Sequence, residues 1–426
     1  MVQEKESMYT GSNYGGCWPT KEQQLLLQAS LLRGDVVIDA WLKWKSNVDL
    51  NNIDPGSYRL FPLLYFNLRL NGIEDPLMNI FQWVYRTTRN KNEILFQNIS
   101  ELLKNFYNES IQVMLLKGTS LILLYYKDYG LRPMIDFDIL VHTEEASDAI
   151  KLLTKLGWRS TITPLKGFTK MRFLSKLGWT PKERPFEDFS KEYFSVRHAH
   201  DFINPDKFTI DLHWHLLHGY NDVNADLDFW EGAVRTRVDD VPTFALNPTD
   251  QLLRVCAHGV KWNSVPPIRW IADAMMIVNN AQEEINWERM IALAKRHRLI
   301  LPINGALNYL RSFLEIPIPE TVLMELQTFS ISTTEYFEYR VRTRSPRILD
   351  GLVELHFLYN FYSRQISNEN VFGKIVGYPK FLQHVFGMDR LWHFILYVLF
   401  ELIRRNIQMM ASLKQSFQKI MAKRRF

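Results

Sequence analysis

The sequence predicts an α+β protein in which a small mixed sheet is flanked by an N-terminal and a C-terminal α-helical module. Apolar residues recur at spacings of three and four up to about residue 108 and again from about residue 247, which is the period of helices that bury one face. Between these regions lie short apolar or alternating runs that end in turn residues, the pattern of strands. With 426 residues, 46% of them hydrophobic, the chain can bury the cores of two or three domains.

The composition excludes several classes of protein. Two cysteines, Cys17 and Cys256, cannot build a disulfide framework or a four-thiolate zinc site, and the first residues lack the basic and apolar segments of a secretory signal, so we expect a cytoplasmic protein. Seven of the 51 basic residues lie from Arg404 onward, and the remaining 44 nearly balance 46 acidic ones, so nucleic acid is not an expected partner. The longest apolar run, 391–400, is far shorter than the roughly 20 residues that span a bilayer.

The N-terminal part divides into two segments. Residues 1–19 are rich in Gly, Ser, Asn and Tyr without periodicity, and we expect them to form a flexible leader. Thr20-Lys-Glu-Gln23 then has the capping-box pattern that starts a helix. Helical patterns continue from there, which predicts a helical module over 20–108.

The central segment, 109–240, is predicted to hold the sheet. Ile111–Leu116 is typical of a buried strand that enters a tight turn, and a helix is expected from Ser120 to Lys127. Met134–Val141 alternates and is rich in branched and aromatic residues, which predicts a second strand. A helix between Thr143 and Gly157 follows. Further strands are predicted at 158–162, 192–203 and 207–214.

The C-terminal segment, 241–426, is predicted to be a helical module with a basic tail. Helices are expected to begin at Asn247, at Pro267 and at Asn286. The basic residues from Arg404 onward follow an aromatic apolar stretch, which indicates either a docked helix or an amphipathic helix that contacts an anionic membrane or a partner protein.

Three acidic residues form the candidate metal site. In Asp136-Phe-Asp138 the strand period of two directs both carboxylates to one face, where they repel each other unless a cation lies between them. A divalent metal supplies that charge, and carboxylates of this kind bridge metal pairs. Asp211 and His213 share the polar face of a later predicted strand, so Asp211 could complete a site of three carboxylates, and His213 is expected to be a structural histidine with satisfied hydrogen bonds, with support of Asp211 or contact with a nucleotide as the alternatives.

A candidate phosphate-binding turn precedes the acidic strand. In Lys117-Gly-Thr-Ser120 the glycine lets a ligand approach the backbone, while amides, hydroxyls and the ammonium group offer donors to phosphate. The alternative is an ordinary helix start with a surface lysine. Arg132, just before the acidic strand, could hold a triphosphate or pair with Asp136.

Taken together, Leu116-Lys-Gly-Thr-Ser, Arg132-Pro-Met-Ile-Asp-Phe-Asp and Ile210-Asp-Leu-His-Trp resemble an uncharacterised bacterial nucleotidyltransferase family of the DNA polymerase beta-type superfamily. The resemblance implies that residues 109–240 form the nucleotidyltransferase core. It implies catalytic and metal-binding roles for Asp136, Asp138 and Asp211, the last of these binding the ion that activates the acceptor. Mg²⁺ is the implied cofactor, with Mn²⁺ as an alternative. The implied nucleotide-binding residues are Lys117, Gly118, Thr119, Ser120, Arg132 and His213, with Gly118 and Ser120 at the β and γ phosphates.

The implied reaction transfers a nucleoside monophosphate from a nucleoside triphosphate to a hydroxyl, amine or phosphate acceptor and releases pyrophosphate. The acceptor, a small molecule, a peptide or another protein, is expected between the core and the C-terminal helices. Two alternatives stay open: a metal-dependent glycosyltransferase that uses a nucleotide sugar, and a catalytically silent nucleotide-binding partner of another protein. Residues 166–185 carry six basic residues and one acidic residue, which predicts either a lid over an anionic ligand or a solvated loop.

Overall fold

A computed structural model describes residues 15–160, 193–194, 197–217, 224–345, 350–366 and 370–386. Three of the expected features lie outside these residues: most of the predicted leader (1–14), the cationic segment 166–185 and the basic tail. Among the helices in the described ranges, none is long and apolar enough to cross a membrane.

The N-terminal part is helical, as predicted. Its first helix starts at the expected capping box, in which Thr20 Oγ1 accepts from the Gln23 N–H at 3.2 Å and Gln23 Oε1 accepts from the Thr20 N–H at 3.1 Å. Trp41 and Trp44 are buried and stack with ring centroids 5.6 Å apart, which anchors the second helix. The helices are α1 (Lys21–Leu31), α2 (Asp35–Asn47), α3 (Pro55–Tyr58), α4 (Phe61–Leu70) and α5 (Met78–Asn108).

The last residues of the predicted leader are packed instead of loose. Gly16 forms a two-residue β-bridge with Asn263, and each backbone N–H donates to the other residue's carbonyl at 2.9–3.0 Å. Trp18 is buried and stacks on Tyr309 with ring centroids 5.2 Å apart. Burial of a large aromatic side chain stabilises the fold. The sequence could not show this burial, because the ring that Trp18 packs on lies over 290 residues away in the chain.

The central part forms a seven-stranded mixed sheet. The strand order is β3-β4-β5-β2-β1-β7-β6, with β2 parallel to β5, β1 parallel to β7 and the remaining neighbours antiparallel. The strands are β1 (Met114–Leu116), β2 (Phe137–Leu140), β3 (Arg159–Ser160), β4 (Ala199–Ile203), β5 (Thr209–His213), β6 (Val234–Val238) and β7 (Val241–Ala245). The helices between β1 and β3 are α6 (Lys117–Leu121), continued by a π-helical turn over Ile122–Tyr126, and α7 (Ala146–Lys155).

Two corrections concern the strands. The observed strands are shorter than the predicted ones, because a strand extends only as far as its neighbours pair with it; residues 193–194, for example, are helical and β4 begins at Ala199. The hairpin β6–β7 was not predicted, and the expected boundary between 240 and 241 falls in its turn. The place of β7 in the sheet depends on parallel pairing with β1, more than 120 residues away in the chain, which local sequence patterns do not reveal.

The sheet has two different faces. Phe137, Ile139 and Leu212 point to one face, where they share a buried core with α5 and α7. Leu116 and Leu140 point to the other face and belong to the core that includes the C-terminal helices. Because side chains alternate along a strand, Asp138 lies on the same face as Leu140, the face that the C-terminal helices cover.

The C-terminal part is helical, as expected. The helix predicted to begin at Asn247 does so, since the Asn247 side chain accepts from the Asp250 N–H at 3.0 Å. Asp250 is fully buried, and its carboxylate receives two hydrogen bonds from Arg289, which ties this helix to the next but one. The helices are α8 (Leu227–Glu231), α9 (Pro248–Gly259), α10 (Arg269–Ala281), α11 (Trp287–Arg296), α12 (Ile300–Leu314), α13 (Glu320–Thr328), α14 (Thr333–Thr343), α15 (Asp350–Gln365) and α16 (Val371–Phe386).

Candidate active site

Two carboxylates lie side by side on the face of the sheet that the C-terminal helices cover. In the parallel pairing of β2 and β5, Asp138 is in register with Asp211, and Leu140 is in register with His213. Ligand atoms of Asp138, Asp211 and His213 all lie within 4.8 Å of one another. Two carboxylates and an imidazole at this spacing could hold a metal ion.

The Lys117 ammonium group lies against both carboxylates. It forms a short ion pair with Asp138, and its Nζ is 3.4 Å from Asp211 Oδ2. Lys117 is the first residue of α6 and has a φ of 46°, a left-handed conformation that non-glycine residues rarely adopt. Such strain is typical of functional turns, and here it accompanies an ammonium group directed at the acids.

His213 bridges the same two carboxylates. Its Nε2 is 2.9 Å from Asp211 Oδ2 and 3.3 Å from Asp138 Oδ1. Burial lowers the pKa of His213, but the charge of Asp211 and the hydrogen bonds to both acids outweigh burial and raise it. The other ring nitrogen, Nδ1, is buried and has no hydrogen-bond partner within the described residues.

Both acids of the pair favour the ionised state. Burial raises the pKa of Asp138, but the positive charge of Lys117 and the hydrogen bond with His213 lower it further than burial raises it. For Asp211 the same balance, with His213 ahead of Lys117, brings the pKa well below its ordinary value. The site is therefore built to keep two negative charges together at neutral pH.

Asp136, the other acid of the predicted motif, stands apart from this cluster. It is exposed and directly precedes β2, and it does not belong to the group of ligand atoms within 4.8 Å. Desolvation of its carboxyl raises its pKa, and the negative charges of Asp138 and Asp211 raise it further. The charges of both acids therefore act on the carboxyl of Asp136, although Asp136 lies outside the cluster.

Arg132 binds an acid of the helical part. Its Nε and Nη2 donate to the two carboxylate oxygens of Asp273 at 2.7 and 2.9 Å, and both residues are 5% exposed. Tyr126 donates to the same carboxylate at 2.8 Å. Within the described residues no ion pair joins Arg132 to Asp136, the partner that the sequence also allowed.

The predicted phosphate-binding turn is buried beside the acids. A Cβ on Gly118 would lie 2.5 Å from Arg132 Nη1 and from Met134 Sδ, so any other residue there would require these side chains to shift. The Thr119 Oγ1 atom is buried and has no hydrogen-bond partner in the part of the chain that the structure describes. Ser120 Oγ donates to the Lys117 carbonyl at 3.1 Å.

Sequence analysis missed Arg254, which lies in the middle of α9. Arg254 is 6% exposed, and the charges of Asp138 and Asp211 act on its guanidinium group. A signal was available: Gln251, Arg254 and His258 recur at spacings of three and four on a helix that is otherwise largely apolar. The pattern alone does not reveal a role, because only the folded chain shows that the charges of Asp138 and Asp211 reach Arg254.

Comparisons with known proteins relate the chain to one protein family. A family model described as uncharacterised nucleotidyltransferase matches residues 57–315. Among solved structures, the chain is similar to an antigenic nucleotidyltransferase-like protein from Paracoccidioides brasiliensis, with 15% identity and a TM-score of 0.33 over 57% of this chain and 96% of that chain. The comparison with curated proteins gives no match. Since the family model covers more than half of the sequence, this chain belongs to the uncharacterised nucleotidyltransferase family.

Proposed function

We propose that this protein transfers a nucleoside monophosphate from a nucleoside triphosphate to a hydroxyl, amine or phosphate acceptor. The observation that carries the proposal is the register of β2 and β5, which brings the carboxylates of Asp138 and Asp211 together next to the Lys117 turn. Two adjacent carboxylates need a nearby positive charge to offset their repulsion, and the negative charges of a nucleoside triphosphate also need one.

The donor set fits a divalent cation. Asp138 and Asp211 would hold it through carboxylate oxygens, which Mg²⁺ prefers, with the exposed Asp136 as a further oxygen ligand; Mn²⁺ would also accept the imidazole of His213. When bound, the ion would neutralise phosphate charge and polarise the α-phosphate. His213 would orient the two carboxylates by donating from Nε2.

The residues of the turn would hold the nucleotide. Thr119 offers a buried hydroxyl with no partner in the described chain, and Gly118 lies beside it, packed against the side chains of Arg132 and Met134. Lys117 and Ser120 add an ammonium group and a second hydroxyl. These donors suit phosphate oxygens, and the assignment rests on the resemblance of Lys117-Gly-Thr-Ser120 to the family's turn, in which these four residues replace the superfamily's Gly-Ser pair.

In the proposed reaction the acceptor's oxygen or nitrogen forms a bond to the α-phosphorus, and the bond from that phosphorus to the bridging oxygen of the β-phosphate breaks. Pyrophosphate leaves with the electron pair, and the acceptor's proton passes to solvent. Asp211 would face the acceptor, because its side chain is 20% exposed whereas that of Asp138 is 4% exposed. Positioning and charge neutralisation would supply most of the rate enhancement.

Calorimetric titration tests the proposal. The four nucleoside triphosphates are titrated with and without Mg²⁺ into the wild type, Asp138→Asn and Asp211→Asn. Asp148→Asn, an exposed acid on α7, is the matched control. We expect Mg²⁺-dependent binding that weakens at least about tenfold in both site variants and not in the control, since each loses a charged ligand. Equal Mg²⁺-dependent binding in all four proteins would contradict the metal assignment.

Titration with nucleotide sugars, together with an assay of the released product, separates the remaining alternatives. Binding of a nucleotide sugar in preference to the triphosphates, with release of a nucleoside diphosphate, would indicate a glycosyltransferase. Triphosphate binding without pyrophosphate release across hydroxyl, amine and protein acceptors would indicate a silent binding partner.

A further inference from the structure

The buried face of α9 carries polar groups that nothing in the described chain satisfies. Gln251 is 0% exposed, and both its amide nitrogen and its amide oxygen are without a hydrogen-bond partner in the described residues. Arg254, one turn later, is 6% exposed, and its Nε is likewise without a partner there. Arginine is almost never buried unless it is paired, because taking the charge out of water costs free energy. The arrangement therefore indicates a ligand of opposite charge.

The position of α9 relates these groups to the acidic site. Leu252 and Leu253 of α9 share a buried core with Leu116 and Leu140, which flank Asp138 on the same sheet face. The negative charges of the two site acids also act on Arg254 and raise its pKa, although desolvation lowers it more.

Arg254 is near the acids without being paired to them. Among the described residues no ion pair joins its guanidinium group to Asp138 or to Asp211, whereas Lys117 contacts both. An anion could therefore lie between the guanidinium group and the carboxylates, with a cation on the acidic side.

Positive charges also act on His258, an exposed residue of α9. Desolvation holds the pKa of His258, one turn beyond Arg254, well below its ordinary value, and the charges of Lys261, Arg254 and Lys117 lower it further. His258 is therefore neutral at neutral pH.

We propose that Arg254, supported by Gln251, binds the terminal phosphates of the substrate, so that the helical part of the chain gives the site its preference for a polyphosphate over a monophosphate. The planar guanidinium group donates in a fork that matches two phosphate oxygens, and the Gln251 amide N–H groups add neutral donors. This inference rests on the proposed function for the identity of the nucleotide. It assigns the α9 residues a binding role that the motifs around the acids do not include.

Calorimetry with inorganic tripolyphosphate, ATP and AMP, each with Mg²⁺, tests the inference on the full chain. The variants are Arg254→Met, Arg254→Lys and the control Arg237→Met, whose arginine is 61% exposed on β6. We expect Arg254→Met to bind tripolyphosphate and ATP about 10- to 100-fold more weakly while AMP affinity changes less than twofold, since only the terminal phosphates lose a charge-assisted contact. Arg254→Lys should recover part of the affinity, and the control should match the wild type.

Thermal unfolding without ligand supplies a second readout. Because Arg254 buries a charge without a partner in the described chain, Arg254→Met should unfold at the same or a higher temperature than the wild type. A lower unfolding temperature together with equal loss of AMP and ATP binding would identify a structural role and overturn the inference, as would unchanged tripolyphosphate binding in Arg254→Met or no tripolyphosphate binding by the wild type. If Asp138→Asn keeps its triphosphate affinity while Arg254→Met loses it, the metal assignment fails and the polyphosphate site stands. If Asp138→Asn loses its triphosphate affinity while Arg254→Met keeps it, the polyphosphate site fails and the metal assignment stands.

Discussion

Removing the carboxylate of Asp273 should be one of the most destabilising single changes in this protein. Asp273 and Arg132 are each 5% exposed, and the carboxylate accepts two hydrogen bonds from the guanidinium group and one from Tyr126, all between 2.7 and 2.9 Å. Asp273→Ala leaves the charge of Arg132 buried without its partner. Breaking a buried pair of this kind costs about 3–5 kcal/mol, and we expect a value in that range.

Urea unfolding followed by tryptophan fluorescence measures the change, and a double-mutant cycle isolates the pair. The cycle compares Asp273→Leu, Arg132→Met and the double variant. The double variant should lose less than the sum of the single losses, since it leaves no unpaired charge behind. Asp273→Asn keeps the volume and an acceptor for Tyr126, so its loss reports the charge. A loss below about 1 kcal/mol for Asp273→Ala, or additive losses in the cycle, would refute a buried, mutually dependent pair.

The pH dependence of stability gives the same pair a second signature. Burial raises the pKa of Asp273, but the charge and hydrogen bonds of Arg132 outweigh burial and lower it on balance. A carboxyl whose pKa is lower in the folded state contributes stability above its unfolded pKa of about 3.9, and that contribution is lost as the pH falls through the folded value. Wild-type stability should therefore fall more steeply below about pH 4 than the stability of Asp273→Asn. Parallel curves would contradict the shift.

Three further predictions concern other buried groups. Burial lowers the pKa of His297 from 6.5 to about 4, so its contribution to stability, at most about 3 kcal/mol, should be present above pH 6.5 and lost between pH 6.5 and 4. His297→Gln should flatten that part of the curve of urea-derived stability against pH. An unchanged curve would contradict the assignment. Cys17, whose pKa burial raises to about 11, and the fully buried Cys256 should resist a disulfide reagent at pH 7.5 in the native protein and react once it is unfolded; rapid labelling of the native protein would contradict their burial. Gly118→Ala places a Cβ 2.5 Å from the sulfur of Met134, so it should cost about 1–3 kcal/mol of stability and weaken Mg²⁺–nucleotide binding. Unaltered binding would show that the turn is not near the nucleotide.

Local patterns were sufficient wherever the determining interactions are local. The capping box at Thr20 and the Asn247 cap lie where the sequence predicted them, because each depends on hydrogen bonds within four residues. The Asp138 strand was found because alternation along a strand is itself a local signal. The ends of the strands and the hairpin β6–β7 were not predicted, because both depend on partners elsewhere in the sheet.

For the candidate site, the sequence by itself determined the chemistry on offer: two acidic strands, a glycine-containing turn with a lysine, and a histidine on the polar face of β5. Residue type and strand period are written in the chain, so these could be read without coordinates. Only the tertiary structure decided which of them meet. In the folded chain Asp138 is in register with Asp211, Asp136 lies outside the cluster, and Arg132 forms an ion pair with Asp273. The tertiary structure also brought Arg254 of α9 within reach of the charges of the two acids, because the sheet face that bears them is apolar at Leu116 and Leu140 and is buried in the same core as α9.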